Sequence, residues 1–304
     1  MFLRTQYFIA IIFLFFCCSS SQIKDFYASK YYAKKEQLFG YAVGKFKIGS
    51  VLFNDKLNNQ ITFQKNWIVQ LSPEDPDLIR YAKVENDSLQ VHDPRGCSIW
   101  FKQKLRGPIM ISYYVYAPEK YNKGFDIVPR DINQFCMANT PNTIDPYSSG
   151  GLFDSKVYDG NFKSYDQLTG YYASTGGGTK TVGNKTTRMR RYPRVINNEN
   201  VNHVALCLRD NNKDFLISPN QRHHIQMVVA DDIVQYIFDE KIVYELKKGD
   251  QIDIMNDLQK DVKVAEGVWG DYPWTFYNEG YFGFRMTRTH HVYYDFKVYK
   301  LINK

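Results

Sequence analysis

Residues 224–246 read HIQMVVADDIVQYIFDEKIVYEL, and this stretch constrains the fold more than any other. Ile225, Met227 and Val229 alternate with residues that must point the other way, Asp231 and Asp232 turn the chain, and Val234, Tyr236 and Phe238 resume the alternation. A period of two over successive short runs, separated by a two-residue acidic turn, is the pattern of a β-hairpin with one buried face. A second turn at Asp239, Glu240 and Lys241 leads into Ile242–Leu246. The same grammar runs through GSVLFNDKL, ITFQKNWIVQL, SLQVHD, CSIWFKQKL and GPIMISYYVYA, with Asn, Asp, Pro or Gly between them. Few windows keep a helical period for ten residues. QIDIMNDLQKDVKVAEG carries conflicting signals and has room for a short helix. Many short strands with turn residues between them predict an all-β, two-sheet antiparallel sandwich.

The first 21 residues, MFLRTQYFIAIIFLFFCCSSS, place Arg4 ahead of an apolar run from Tyr7 to Phe16 and end in two cysteines and three serines. That is the layout of an export signal, too short for a membrane span. Cys17 and Cys18 stand where a bacterial lipoprotein would be acylated, which predicts an outer-membrane-anchored lipoprotein, with a plainly cleaved periplasmic protein as the alternative. We assign 1–18 to the leader, 19–39 to a polar tether rich in Tyr and Lys, and 40–304 to a single domain. No linker or internal repeat divides that domain. Cys97, Cys136 and Cys207 are an odd number without CxxC spacing, so neither a disulfide framework nor a metal site is expected, and no cofactor motif is present.

The formal charge of +7 accompanies 24 tyrosines and 21 phenylalanines. In an exported protein, cations beside flat rings suit an acidic ligand built of rings, such as a sugar chain carrying carboxylate or sulfate. Nucleic acid is not expected of an exported chain on charge alone. TGGGTK, at 175–180, lacks the GxxxxGK[ST] spacing and the following helix of a phosphate-binding loop. Residues 119–200 hold long polar and glycine-rich loops, where a cleft would be built on a β scaffold.

Taken together, SIWFKQKLRGPIMISYYVY, DINQFCMA, GYYASTGGG, TTRMRRYP, VQYIFDEKIVYE and the closing GYFGFRMTRTHHVYYDFKVYKL resemble one family over roughly residues 50–302. It is a family of exported Bacteroidetes proteins with a concanavalin A-like jelly roll, similar in style to YesU-like proteins linked to pectin use. The resemblance implies a two-sheet jelly roll and a carbohydrate ligand, without implying a reaction.

Three function classes follow. A glycoside hydrolase needs two carboxyls on one face; no ExDxxE-like spacing occurs, Glu266 and Asp271 lie in a Gly- and Pro-containing stretch, and Asp131, Asp154 and Asp166 are scattered. A polysaccharide lyase needs a group that neutralises a uronate carboxylate, a base for the C5 proton and an acid for the leaving oxygen. Strand parity puts Arg188, Arg190 and Tyr192 on one side of TTRMRRYP, and Arg285 and Thr287 opposite Phe282, Phe284 and Met286. Arg188, Arg190 and Arg285 would form an anion cradle, with Arg190 and Arg285 assigned directly to the chemistry. Tyr172, next to glycines in GYYASTGGG, and His290 in the final turn are the candidate proton-moving groups. Tyr171, Asn133 and Gln134 are candidate sugar contacts, while His223 and His224 begin a regular strand and suit structural roles. The reading is an elimination on an acidic polysaccharide, with the membrane reached only through a lipid anchor; a non-catalytic glycan-binding module and a hydrolase are the alternatives.

Overall fold

The computed structural model describes residues 45–72, 79–120, 129–142, 144, 158–178, 182–200, 203–209, 213–247, 251–255, 265–268 and 276–304. The expected leader with Cys17 and Cys18, the tether, and Asp154 and Asp271 lie outside them, as does the side chain of Glu266.

The chain opens with β1 (Phe46–Asp55), helix α1 (Gln60–Asn66), β2 (Trp67–Leu71), β3 (Tyr81–Glu85), β4 (Ser88–Asp93) and β5 (Cys97–Phe101). There follow β6 (Leu105–Arg106), β7 (Ile109–Tyr116), β8 (Ile132–Asn139), β9 (Thr169–Gly177) and β10 (Thr186–Tyr192). Next come β11 (Val195–Ile196), β12 (Glu199–Asn200), β13 (His203–Arg209), β14 (Arg222–Ala230), β15 (Ile233–Phe238) and β16 (Lys241–Lys247). The chain closes with β17 (Gln251–Met255), β18 (Ala265–Val268), β19 (Glu279–Met286) and β20 (Thr289–Asn303).

Two antiparallel sheets form the sandwich. The eight-stranded sheet runs β16-β15-β14-β7-β20-β4-β3, with β1 added on β20; the ten-stranded sheet runs β18-β17-β13-β10-β9-β8-β19-β5-β2, with β6 on β19. The expected all-β jelly roll is what the chain forms. Both predicted turns are real: Asp231 has φ 44°, and Asp239 and Glu240 have φ 48° and 64°, the left-handed pair that a tight hairpin turn requires. QIDIMNDLQKDVKVAEG has paired strands at its two ends, β17 and β18, and the stretch between them, with its room for a helix, lies outside the described residues.

The strand reading of ITFQKN needs correction, since these residues lie in α1. Asn59 caps the helix, its side chain accepting from the Thr62 N–H, and only Phe63 turns inward while Ile61 is 77% exposed. A single buried residue in a helix of seven residues leaves no periodicity to read.

The core between the sheets is aromatic. Trp67 stacks on Phe284 at 5.1 Å and meets Phe296 edge-on at 4.8 Å. Phe296 and Val298 are fully buried, as their place in the last strand requires. Polar pins cross this core. Tyr113 donates to Gln134 Oε1 at 2.8 Å, Thr175 and Tyr236 share a hydrogen bond at 2.6 Å, and His291 Nε2–H donates to the Arg130 carbonyl at 2.8 Å. Each pin joins a strand of one sheet to a strand, or the approach to a strand, of the other.

Gly283 shows how closely the outer face of the ten-stranded sheet, the face turned away from the core, is packed. It stands in register between Trp100 and Phe135, and their rings stack across it at 5.2 Å. A Cβ there would come within 2.5 Å of Trp100 Cε3. Gly283→Ala is therefore expected to cost about 1–3 kcal/mol, the usual range for overpacking, read as a lowered urea midpoint together with altered tryptophan fluorescence.

Candidate functional site

The outer face of the ten-stranded sheet gathers the residues on which sequence reasoning concentrated. Registers across five strand pairs line up one row, Gln70, Ser98, Arg285, Asn133, Ser174 and Arg188, running from β2 to β10. The next row holds Ile68, Trp100, Gly283, Phe135, Tyr172 and Arg190. Tyr192 follows on β10 and stacks on Tyr172 at 5.7 Å. Polar groups thus run beside a band of rings. Arg285 and Arg188 are three strand intervals apart, about 14 Å at ordinary strand spacing.

Along the polar row, four buried atoms make no hydrogen bond among the described residues: Ser98 Oγ, Arg285 Nε, Asn133 Oδ1 and Arg188 Nε. Buried polar atoms are ordinarily satisfied, so four in one row mark a place where a polar ligand or water belongs.

A segment after the undescribed stretch covers part of the face. Its 3-10 turn, Phe162–Tyr165, brings Tyr165 down so that its hydroxyl donates to Gln70 Oε1 at 2.8 Å and accepts from the Gly160 N–H at 2.9 Å. Trp100 Nε1 donates to the same Gln70 oxygen at 2.8 Å. Arg194 anchors the segment through Asp166 at 3.1 Å. Phe162 and Tyr165 roof Arg285, whose guanidinium carbon lies 5.7 Å and 5.9 Å from their ring centres.

Parity therefore holds for Arg285, but the expectation of an open surface does not. Arg285 is 2% exposed, and its Nη1 donates to the carbonyls of Cys97 and Met286. It is a buried cation that closes the Asp93–Cys97 turn and acts on the site through its field. Removing it would weaken folding as well as binding, contrary to the expectation for an outward arginine.

The other candidates sort by side of the sheet. Asn133, Tyr172, Arg188, Arg190 and Tyr192 share the outer face with Arg285. Tyr171 and Gln134, their sequence neighbours, face the core: the Tyr171 hydroxyl accepts from the Tyr277 N–H at 2.9 Å, and Gln134 is one of the polar pins. Neither can touch a ligand on the outer face. Cys136 also faces the core, so no stacking role attaches to it, and burial pushes its thiol up to about 12.

His290 is placed away from all of these. It lies on β20 in the eight-stranded sheet, in register with His92, and its Nε2–H donates to Gln90 Oε1 at 3.0 Å. The thickness of the sandwich separates it from Tyr172, so it cannot share a proton with that hydroxyl. Thr287 sits in the turn after β19, half-buried and outside the polar row.

The electrostatics assign Tyr172 a different role from the expected base. Burial drives its hydroxyl well above the usual tyrosine range, helped by Tyr192 and Asp131 and opposed by the nearby Arg285 and Arg190 cations. A phenol held protonated donates a proton or a hydrogen bond. Asp131, one of the scattered carboxyls weighed for hydrolysis, is the residue before β8. Burial raises its carboxyl above the ordinary value against the pull of Arg130, Arg285 and Asn133, and Arg130 Nε holds it at 2.9 Å. Its φ of 57° puts a non-glycine residue in the left-handed region, an unfavourable conformation that is concentrated at functional positions. Trp100, Tyr165 and Phe162 escaped sequence reading, because nothing local ties them to this face. Among the described residues, no group of three His, Cys, Asp or Glu side chains comes together to hold a metal ion.

Sheet order and the aromatic core between two antiparallel sheets define a jelly roll of the galectin-like, concanavalin A-like kind. The chain belongs to the family described as Domain of unknown function (DUF6250), whose profile matches residues 91–253. Among solved structures it is similar to a protein of unknown function with a galectin-like fold from Bacillus subtilis, at 15% identity over 85% of this chain and 100% of that one, with a TM-score of 0.52. An endo-beta-1,3-glucanase from Pyrococcus furiosus aligns at 9% identity over 86% and 97% of the two chains, with a TM-score of 0.48. The carbohydrate binding module CBM66 from Bacillus subtilis aligns at 9% identity over 77% and 96%, with a TM-score of 0.41. Neither of the last two superposes closely enough to bear on function. A comparison with curated proteins gives no match.

Proposed function

We propose that the protein binds an acidic, uronate-containing glycan on the outer face of the ten-stranded sheet and cleaves it by elimination. The observation that carries this reading is the polar row beside the ring band, with Arg285 Nε, Asn133 Oδ1 and Arg188 Nε unsatisfied. Guanidinium groups suit a carboxylate, and rings suit the flat faces of pyranose units. Arg188 and Arg190 would neutralise the uronate carboxylate, which acidifies the C5 proton. Asp131 is the carboxylate available to take that proton. As the C4–C5 double bond forms, the C4–O bond breaks, and the Tyr172 hydroxyl gives its proton to the departing oxygen. Water then restores the phenol, and Asp131 returns its proton to solvent.

The test is a panel of uronate-containing polysaccharides incubated with the purified chain. Ultraviolet absorbance of an unsaturated uronate product is expected. New reducing ends without that absorbance would mean hydrolysis, and binding with neither product would leave a glycan-binding module. The leader fits delivery to the cell envelope on a lipid anchor. Metabolic labelling with palmitate, lost when Cys17 and Cys18 are both replaced, is the corresponding check.

A further inference from the structure

The outer face of the other sheet carries a hydrogen-bonded series that the glycan site does not use. Ser112 on β7 is in register with Gln226 on β14, and Tyr114 with His224, which makes Ser112 and His224 diagonal neighbours on one face. Ser112 Oγ lies 2.8 Å from His224 Nε2. The β15–β16 turn brings Glu240 back so that its carboxylate bonds His224 Nδ1. The turn itself is held by Asp239, which accepts from the His224 N–H at 2.8 Å and bonds His223 Nδ1 at 2.6 Å. The imidazole is stacked on Tyr114, centroids 4.4 Å apart and planes 14° apart. A carboxylate on Nδ1 keeps the proton there and leaves the Nε2 lone pair facing the serine hydroxyl. Nucleophile, base and orienting acid are thus in sequence, each within hydrogen-bond reach of the next.

Two further groups flank the serine. Gln226 and Lys297 are its register partners on either side and so project from the same face. Gln226 is 5% exposed; its Nε2 meets only the Met110 sulfur at 3.4 Å, while its Oε1 makes no hydrogen bond among the described residues. Turning this amide over presents N–H donors beside Ser112, and the Lys297 ammonium adds positive charge opposite.

We propose that Ser112, His224 and Glu240 form a second site, a serine-hydrolase centre for small O-acyl esters, with Gln226 and Lys297 facing the oxygen that becomes negative. Ser112 is 6% exposed and Met110 beside it 5%, which restricts the proposal to a short acyl group such as acetyl. The hydroxyl oxygen attacks the ester carbonyl carbon as its proton passes to His224 Nε2. The carbonyl carbon–alkoxy bond then breaks, and the alcohol leaves with that proton. Water, giving a proton to Nε2, attacks the acyl-serine; the carboxylic acid departs and the serine hydroxyl is restored. No other reagent is required. The site stands on the opposite side of the sandwich from the arginine row and is independent of the glycan reading.

The test treats the full chain with a fluorophosphonate probe and p-nitrophenyl acetate. The expected result is one adduct, mapped by mass spectrometry to the peptide holding Ser112, and acetate release that falls at least about a hundredfold in Ser112→Ala. Glu240 acts through the imidazole, so Glu240→Gln should slow labelling about a hundredfold with the melting temperature unchanged, and Glu240→Asp should restore part of the rate. Absence of an adduct at Ser112 in the unsubstituted chain overturns the proposal, whatever the fate of the variants. So does acetate release that persists in Ser112→Ala.

Discussion

Replacing Arg190 with alanine is expected to lower turnover of an acidic glycan about a hundredfold, the scale of losing one preorganised electrostatic partner. Arg190 stands in register with Tyr172, and its charge bears on both the Tyr172 and Tyr192 hydroxyls. The variant therefore loses attraction for the uronate carboxylate and the cation that steadies the proton donor. Comparison with two milder changes locates the effect. Tyr172→Phe removes one hydroxyl and should depress kcat while KM holds, and Asp131→Asn should do the same through the base. A variant Arg190→Ala with unchanged kcat/KM on every acidic glycan tested would remove this face from the reaction.

Acid should unfold the protein through His291. The ring is fully buried, with Nε2 bonded to the Arg130 carbonyl and Nδ1 3.0 Å from the Tyr293 hydroxyl. Burial, chiefly, holds its pKa down to about 3, against 6.5 for an ordinary histidine. The folded protein keeps the ring neutral while the unfolded chain protonates it below 6.5. Unfolding therefore takes up a proton between those values, and stability falls as pH drops through that window. Above 6.5 this residue makes stability independent of pH. The slope it contributes approaches about 1.4 kcal/mol per pH unit. Urea midpoints between pH 7 and pH 4 should show the decline, and His291→Gln, which keeps a polar side chain that cannot titrate, should flatten it. An equally steep decline in that variant would assign acid sensitivity to other groups.

Much of the architecture is legible in residues 224–246, because a period of two with acidic turns admits little besides a meander. Parity likewise puts Arg188, Arg190 and Tyr192 together, and Arg285 away from Phe282 and Phe284. What parity cannot supply is which member of an adjacent pair turns outward when both are plausible. Asn133 with Gln134, and Tyr171 with Tyr172, are each split between ligand face and core by the sheet. The larger misplacement concerns His290. GYFGFRMTRTHHVYYDFKVYKL looks like one cationic element, yet the turn at Thr287 and Arg288 sends its two arms to different sheets. Arg285 and His290, five positions apart, end up on opposite outer faces. Trp100 was passed over because its importance lies in a partner 30 residues away, through its bond to Gln70.

That divided hairpin has a consequence for how the molecule comes into being. β19 sits between β5 and β8, and β20 between β7 and β4, so residues 279–303 supply an interior strand to both sheets at once. A chain lacking them would leave β5, β8, β7 and β4 each with an unpaired edge, β1 and β6 without the strands they pair with, and no aromatic floor beneath Trp67. Such edges invite pairing with other chains, and contacts this distant in sequence form slowly. Closure of both layers therefore waits on residues 279–303, and pairing of that one hairpin completes the two sheets together.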